Sequence, residues 1–122
     1  MPPAGRVEGT LLCHVGPHRI AFEAGEVASI AAPDAGTVSA HRAFHGTGDA
    51  QRVLVTAAGG TVGVDGLEID SEVLSLLPPS PVVAGSSGGS LRGFVLTRGV
   101  LWPLLRLEAF QRYLRGLDGE GA

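Results

Sequence analysis

One pattern, used three times, restricts the fold of this chain more than anything else in it: an alternating apolar run, a Gly-containing break, and a second alternating run. In the first copy Leu11, Cys13 and Val15 alternate before Gly16-Pro17, and Ile20 and Phe22 alternate after it. Such alternation predicts two antiparallel strands with one buried face, because successive strand side chains point to opposite sides. The second copy spans 52–65 and turns at Gly59-Gly60, where a positive φ costs little. The third spans 91–105 and turns at Arg98-Gly99. The chain is therefore predicted to be mainly β.

The first two hairpins continue alike. Glu26-Val27-Ala28-Ser29-Ile30 follows the first and Glu72-Val73-Leu74-Ser75-Leu76 the second: an acidic residue, a β-branched residue, and another apolar residue three on. This is a weak internal repeat of two β-units, too few to close a propeller. Residues 32–51 carry no sustained period and read as a connection. Residues 78–90, with Pro78, Pro79 and Pro81 ahead of a Gly/Ser run, read as a flexible loop. Pro103 marks an edge, a bulge or a strand end, or else opens a helix as its first-turn residue. From Leu107 the period changes: Leu107, Phe110, Leu114 and Leu117 share one helical face, with Glu108, Gln111, Arg112 and Arg115 off it. Gly116 or Gly119 can stop that helix.

At 122 residues the chain suits one domain, and 44% hydrophobic with 17% charged residues is the balance of a folded chain, not a disordered one. All nine basic residues are arginine, scattered, with a net charge of −3. That leaves no basic stripe for nucleic acid, and nothing argues for a membrane surface. The single cysteine, Cys13, has no internal disulfide partner. With no apolar leader run and no membrane-length apolar segment, a cytoplasmic location is expected.

Gly85-Ser86-Ser87-Gly88-Gly89 matches the G-x-S-x-G nucleophile elbow in letters only. That chemistry needs a strand before the serine, a helix after it and a later histidine base; here a proline-rich loop precedes, a strand follows, and no histidine occurs after His45. His14 and His18 flank a turn and His41 and His45 are spaced i, i+4, but zinc needs three or four convergent ligands, and Cys13 points away from His14. Asp65, Glu68, Asp70 and Glu72 lack the order of a calcium loop and read as a solvated strand end. Gly59-Gly60-Thr61 is no phosphate loop. Val73, Leu74, Leu76 and Leu77 read as core; exposed, they would suit a helical partner. No enzyme, metal or cofactor is expected.

Taken in order, these segments resemble the CheW-like coupling domain of bacterial chemosensory systems. The most specific stretch is 53–77, VLVTAAGGTVGVDGLEIDSEVLSLL, similar to that family's strand, Gly turn and "VG-V-D-V---EVL-L" segment. Pro78-Pro79-Ser80-Pro81 stands where the family has its proline-containing loop, and Leu91-Arg92-Gly93-Phe94 where a "Y-I-x-G" strand begins. Leu105-Arg106-Leu107-Glu108-Ala109-Phe110 resembles the terminal "L-D-L-E-x-L", with Arg106 where a capping aspartate would stand. Cys13-His14-Val15-Gly16 and Glu26-Val27-Ala28-Ser29-Ile30 resemble the opening "F-x-L-G" and "V-x-E-I". Only 22 residues lie between Ile30 and Val53, and none of them resembles the family's "G-x-x-x-L-R-G-x-x-x-P-x-x-D-L" stretch. Among family members, the small CheW-like components of myxobacterial gliding-control (Frz) systems are the subgroup it resembles.

The resemblance implies two small SH3-like β-barrel halves, the first truncated, and a C-terminal amphipathic helix. It divides the chain into a tail (1–9), one CheW-like domain at 10–117, made of a truncated first half (10–50) and a second half with the helix (51–117), and a tail (118–122). It implies a non-catalytic cytoplasmic adaptor, without cofactor or metal. Its partners would be a methyl-accepting chemoreceptor and, through fewer surfaces than a full-length member offers, a CheA-type histidine kinase or another CheW-like protein. Nucleic acid and direct membrane insertion are not expected. The partner-binding residues it implies, in a groove between the halves, are Val27, Ile30, Leu67 and Val73. The alternatives are a small β-domain enzyme or metal-binding protein, and a structural β-subunit that dimerises.

Overall fold

The computed structural model describes residues 5–33, 39–40, 51–78 and 90–120, with side chains as far as Gly116. Its strands are β1 (Arg6–Val15), β2 (His18–Glu23), β3 (Val27–Ala31), β4 (Arg52–Thr56), β5 (Thr61–Val64), β6 (Gly66–Leu77), β7 (Leu91–Thr97) and β8 (Val100–Leu105). A 3-10 turn at Ala24–Glu26 joins β2 to β3, and helix α1 spans Leu107–Glu120.

All three predicted hairpins form. Gly16 takes φ 59° at the first central position of the β1–β2 turn, with Pro17 second, the glycine-first order of a II′ turn. Arg98 and Gly99 both take positive φ, 55° and 72°, as a I′ turn requires, and Val100 pairs with Thr97 across it. These turns match the right-handed twist of the strands they join.

The hairpins do not stack in sequence order. β1, β2, β8, β7 and β6 close a mixed barrel, with a short parallel contact between β2 and β8, while β3, β4 and β5 make a separate three-stranded sheet. The third strand of each repeat therefore crosses to the other unit: β3 pairs with β4, and β6 pairs with β1. The sheets do not divide at residue 50, because the barrel takes strands from both ends of the chain and the middle forms the smaller sheet. The tail expected at 1–9 also gives way to strand from Arg6, whose register partner is Ser75.

Two apolar clusters explain the arrangement. Val7, Leu12, Ala21, Leu74, Leu76, Val95, Trp102 and Leu104, all on barrel strands, fill the barrel. Leu11, Cys13, Val15, Ile20 and Phe22 face outward from the β1–β2 wall, against Leu54, Val62 and Val64 of the small sheet and Leu107, Phe110 and Leu114 of α1. The first hairpin thus buries both faces where alternation predicted one. Ala40 is buried in the second cluster, and Ser39 bridges to Gly63. Phe110 lies 5.9 Å from the Phe22 ring and is 3% exposed; truncating such a side chain to Ala costs about 3–5 kcal/mol.

Pro103 sits within β8, opposite Phe94. The β2 contact begins only at Leu104, so at Pro103 that side of β8 is locally an edge, where a missing N–H breaks no ladder bond. The helix runs through Gly116 and Gly119 to Glu120, past the expected start of the C-terminal tail at 118. An interior glycine costs a helix about 1 kcal/mol relative to Ala without ending it.

Candidate protein-binding interface

The four residues singled out from the sequence fall in two places. Val27 and Leu67 are half-buried and pack on the same cluster, in the seam between barrel and small sheet. Ile30 is 45% exposed on β3, opposite Leu54 at the margin of that seam. Every residue of β3 after Val27 is exposed. Val73 is elsewhere: it is exposed, its register partner is Glu8, and six residues of strand, roughly 20 Å, separate it from Leu67.

A second apolar surface includes Leu77, which like Val73 is exposed where core was expected, while Leu74 and Leu76 are buried. On the outside of the barrel, Leu77, Phe94 and Pro103 are consecutive register partners across β6, β7 and β8, and Leu96 faces Leu101 in the adjoining row. Leu77, Leu96 and Leu101 are 46%, 59% and 53% exposed. The signal was present in the sequence: in 94–96 and 100–105 both parities are apolar, the pattern of a strand covered on both faces. The barrel interior covers one face, and on the other Phe94 and Leu105 pack on the second cluster while Leu96 and Leu101 stay exposed.

Polar side chains near these surfaces hold the scaffold. Asp70 accepts from the Thr97 hydroxyl at 2.6 Å and from the Glu72 backbone N–H at 3.0 Å. Those bonds hold its carboxyl below the usual carboxylate range, against a smaller opposing effect of burial. They tie the end of β7 to β6 where the β1–β6 register shifts, opposite Gly9 at φ 75°. Asp65 accepts from the Gly16 backbone N–H, and Glu68 pairs with Arg98. The acidic stretch therefore fixes turns and a bulge.

At one end of the barrel Trp102 donates its indole N–H to the Thr97 carbonyl, with His14 edge-on at 5.6 Å and Arg19 over the ring at 5.9 Å. The Cys13 thiol is buried and its pKa is pushed up to about 12 by desolvation, which makes it a poor nucleophile. No three His, Cys, Asp or Glu side chains converge as metal ligands among the described residues. The G-x-S-x-G match, His41 and His45 lie outside the described residues. No helix among the described residues is long and apolar enough to cross a membrane.

Between the β4–β5 turn and α1 lies a cleft of about 240 Å³ lined by Thr56, Ala58 and Gly60 on one side and Glu108, Gln111, Arg112 and Arg115 on the other. Gln111, assigned from the sequence to the polar side of the helix, is only 8% exposed. A Cβ at Gly60 would lie 2.7 Å from its Cδ, so the amide is seated where glycine leaves room. Helical periodicity gave no sign of this, because the β4–β5 turn that covers the residue is remote in sequence.

No protein-family model matches the chain, and no curated protein matches it either.

Proposed function

We propose that this chain is a non-catalytic adaptor that joins two protein partners, a CheW-like coupling protein of a bacterial chemosensory system acting in the cytoplasm. The observation that carries the adaptor reading is the group of exposed apolar side chains on the outer barrel wall, Leu96 beside its register partner Leu101, with Leu77 on the neighbouring strand. Exposed apolar surface of this kind marks a place that another protein covers. The chemosensory assignment rests on the sequence resemblance, with which a closed barrel beside a smaller sheet and a C-terminal helix is compatible.

In this reading a receptor's helical tip lies along the seam, against Val27, Ile30 and Leu67, as a helix lies in an apolar groove. Val73 belongs with the outer barrel surface, which is left for a kinase regulatory domain or another CheW-like protein. Among the described residues the small sheet has three strands, and with the short connection between Ile30 and Val53 this supports the reading that one of the family's usual kinase contacts is lost.

Binding titrations of Ile30→Arg and Leu101→Arg against a co-encoded receptor signalling fragment and the kinase's CheW-like domain test this. Ile30→Arg is expected to weaken only the receptor, and Leu101→Arg only the second partner. Absence of receptor binding by the unaltered chain removes the adaptor reading. Kinase binding as tight as that of a full-length family member would show that no kinase-binding surface is missing.

A further inference from the structure

We infer that the cleft between the β4–β5 turn and α1 binds an acidic side chain of a protein partner. This goes beyond the chemosensory reading and does not depend on it. Arg112 and Arg115, three apart on α1, present two guanidiniums at the cleft, each a donor fork that fits a carboxylate. Exposed arginines alone do not make a site.

Gln111 does. Its side chain is more than nine-tenths buried, lines the cleft, and has no hydrogen-bond partner for its amide among the described residues. A primary amide brings two N–H donors, and those of Gln111 still reach the solvent of the cleft, where they are available to an acceptor that enters it. The seat over the bare Cα of Gly60 holds it there. Beside it, the Thr56 oxygen accepts from the Gly60 backbone N–H at 3.0 Å, which leaves the hydroxyl proton to donate.

The convergent groups are thus mainly donors, and what they lack is an acceptor-only group of planar, bidentate shape: a carboxylate. Glu108 also lines the cleft, one turn before Arg112, so two positive charges are offset by one negative. A net single positive charge matches one carboxylate better than a doubly charged phosphate, and the chain that carries the carboxylate adds contacts around the cleft.

The test follows the Gln111 side-chain NH₂ resonances of ¹⁵N-labelled protein during titration with acetyl-Ala-Glu-Ala-amide, with the Gln analogue and inorganic phosphate in separate arms. The glutamate peptide is expected to shift them saturably, with the other two binding at least about tenfold more weakly. Arg112→Gln/Arg115→Gln, at two exposed positions, is expected to lose at least about tenfold in affinity for the glutamate peptide without a change in melting. Gln111→Met, followed by the backbone resonances of Gly60, is expected to lose affinity while the fold is kept. Unmoved Gln111 resonances, an equal response to the Gln analogue, tighter binding of phosphate, or undiminished affinity in the arginine variant would each overturn the assignment.

Discussion

The Glu26 carboxylate accepts the backbone N–H of Leu107, so the 3-10 turn after β2 caps the first turn of α1 from 81 residues away in the sequence. Arg106, at the position before the helix, offers no such acceptor, and its own N–H goes to the Ser90 carbonyl.

Glu26 should govern stability near and above the ordinary carboxylate range. Burial raises its pKa above 4.5, the Leu107 bond opposes that, Glu23 and Glu108 add to the rise, and Arg92 counters it. A raised pKa means the folded state holds the proton more tightly. The stability gained is full below the unfolded value and is lost as pH rises through the folded one. Glu26→Gln keeps an acceptor oxygen without the charge, so near neutrality it should melt no lower than wild type, any advantage vanishing in acid. Glu26→Ala should lose about 1 kcal/mol in acid, the usual worth of a helix cap, and less as pH rises through the folded value. Equal losses in both variants near neutrality would show that the charge itself is required.

Asp70 carries the opposite sign. Its pKa is lowered by the Thr97 hydroxyl and the Glu72 N–H, so its contribution is present above the unfolded value near 3.8 and fades as pH falls through the folded one. Thr97→Val, which keeps the shape and removes the donor, should cost about 1.5–3 kcal/mol near neutrality, the range for a hydrogen bond to a charged group. Denaturant titrations in acid should show that cost shrinking. A cost that does not change with pH would assign it to packing.

The same substitution should act oppositely at two glycines. A Cβ at Gly93 would strike the Leu77 carbonyl oxygen and the Leu76 side chain, and a β6 backbone atom cannot swing away. Gly93→Ala should therefore cost about 3 kcal/mol or more, at the upper end of overpacking, and loosen the β6–β7 pairing. Gly116, in α1 with open space around its Cα, should gain about 0.5–1 kcal/mol as Ala, because the unfolded chain loses freedom. Thermal melts of the two variants decide it: a Gly93→Ala protein as stable as wild type would mean that the barrel wall there is not rigid.

By itself the sequence determined what is local. Alternation around Gly16, Gly59 and Gly99 set the hairpins, because a strand's side-chain period and a turn's φ requirement are both properties of a few adjacent residues. The 3.6-residue spacing of Leu107, Phe110 and Leu114 set the helix and its buried face for the same reason. Tertiary structure alone decided which strands meet. Edge groups of similar apolar strands are chemically alike, so nothing local told β3 to join β4 or β6 to join β1; closing one barrel around Leu12, Trp102 and Leu104 did. It also separated Val73 from Val27 and Leu67, left Leu96 and Leu101 open, and seated Gln111 over Gly60, since exposure depends on which elements arrive from elsewhere in the chain.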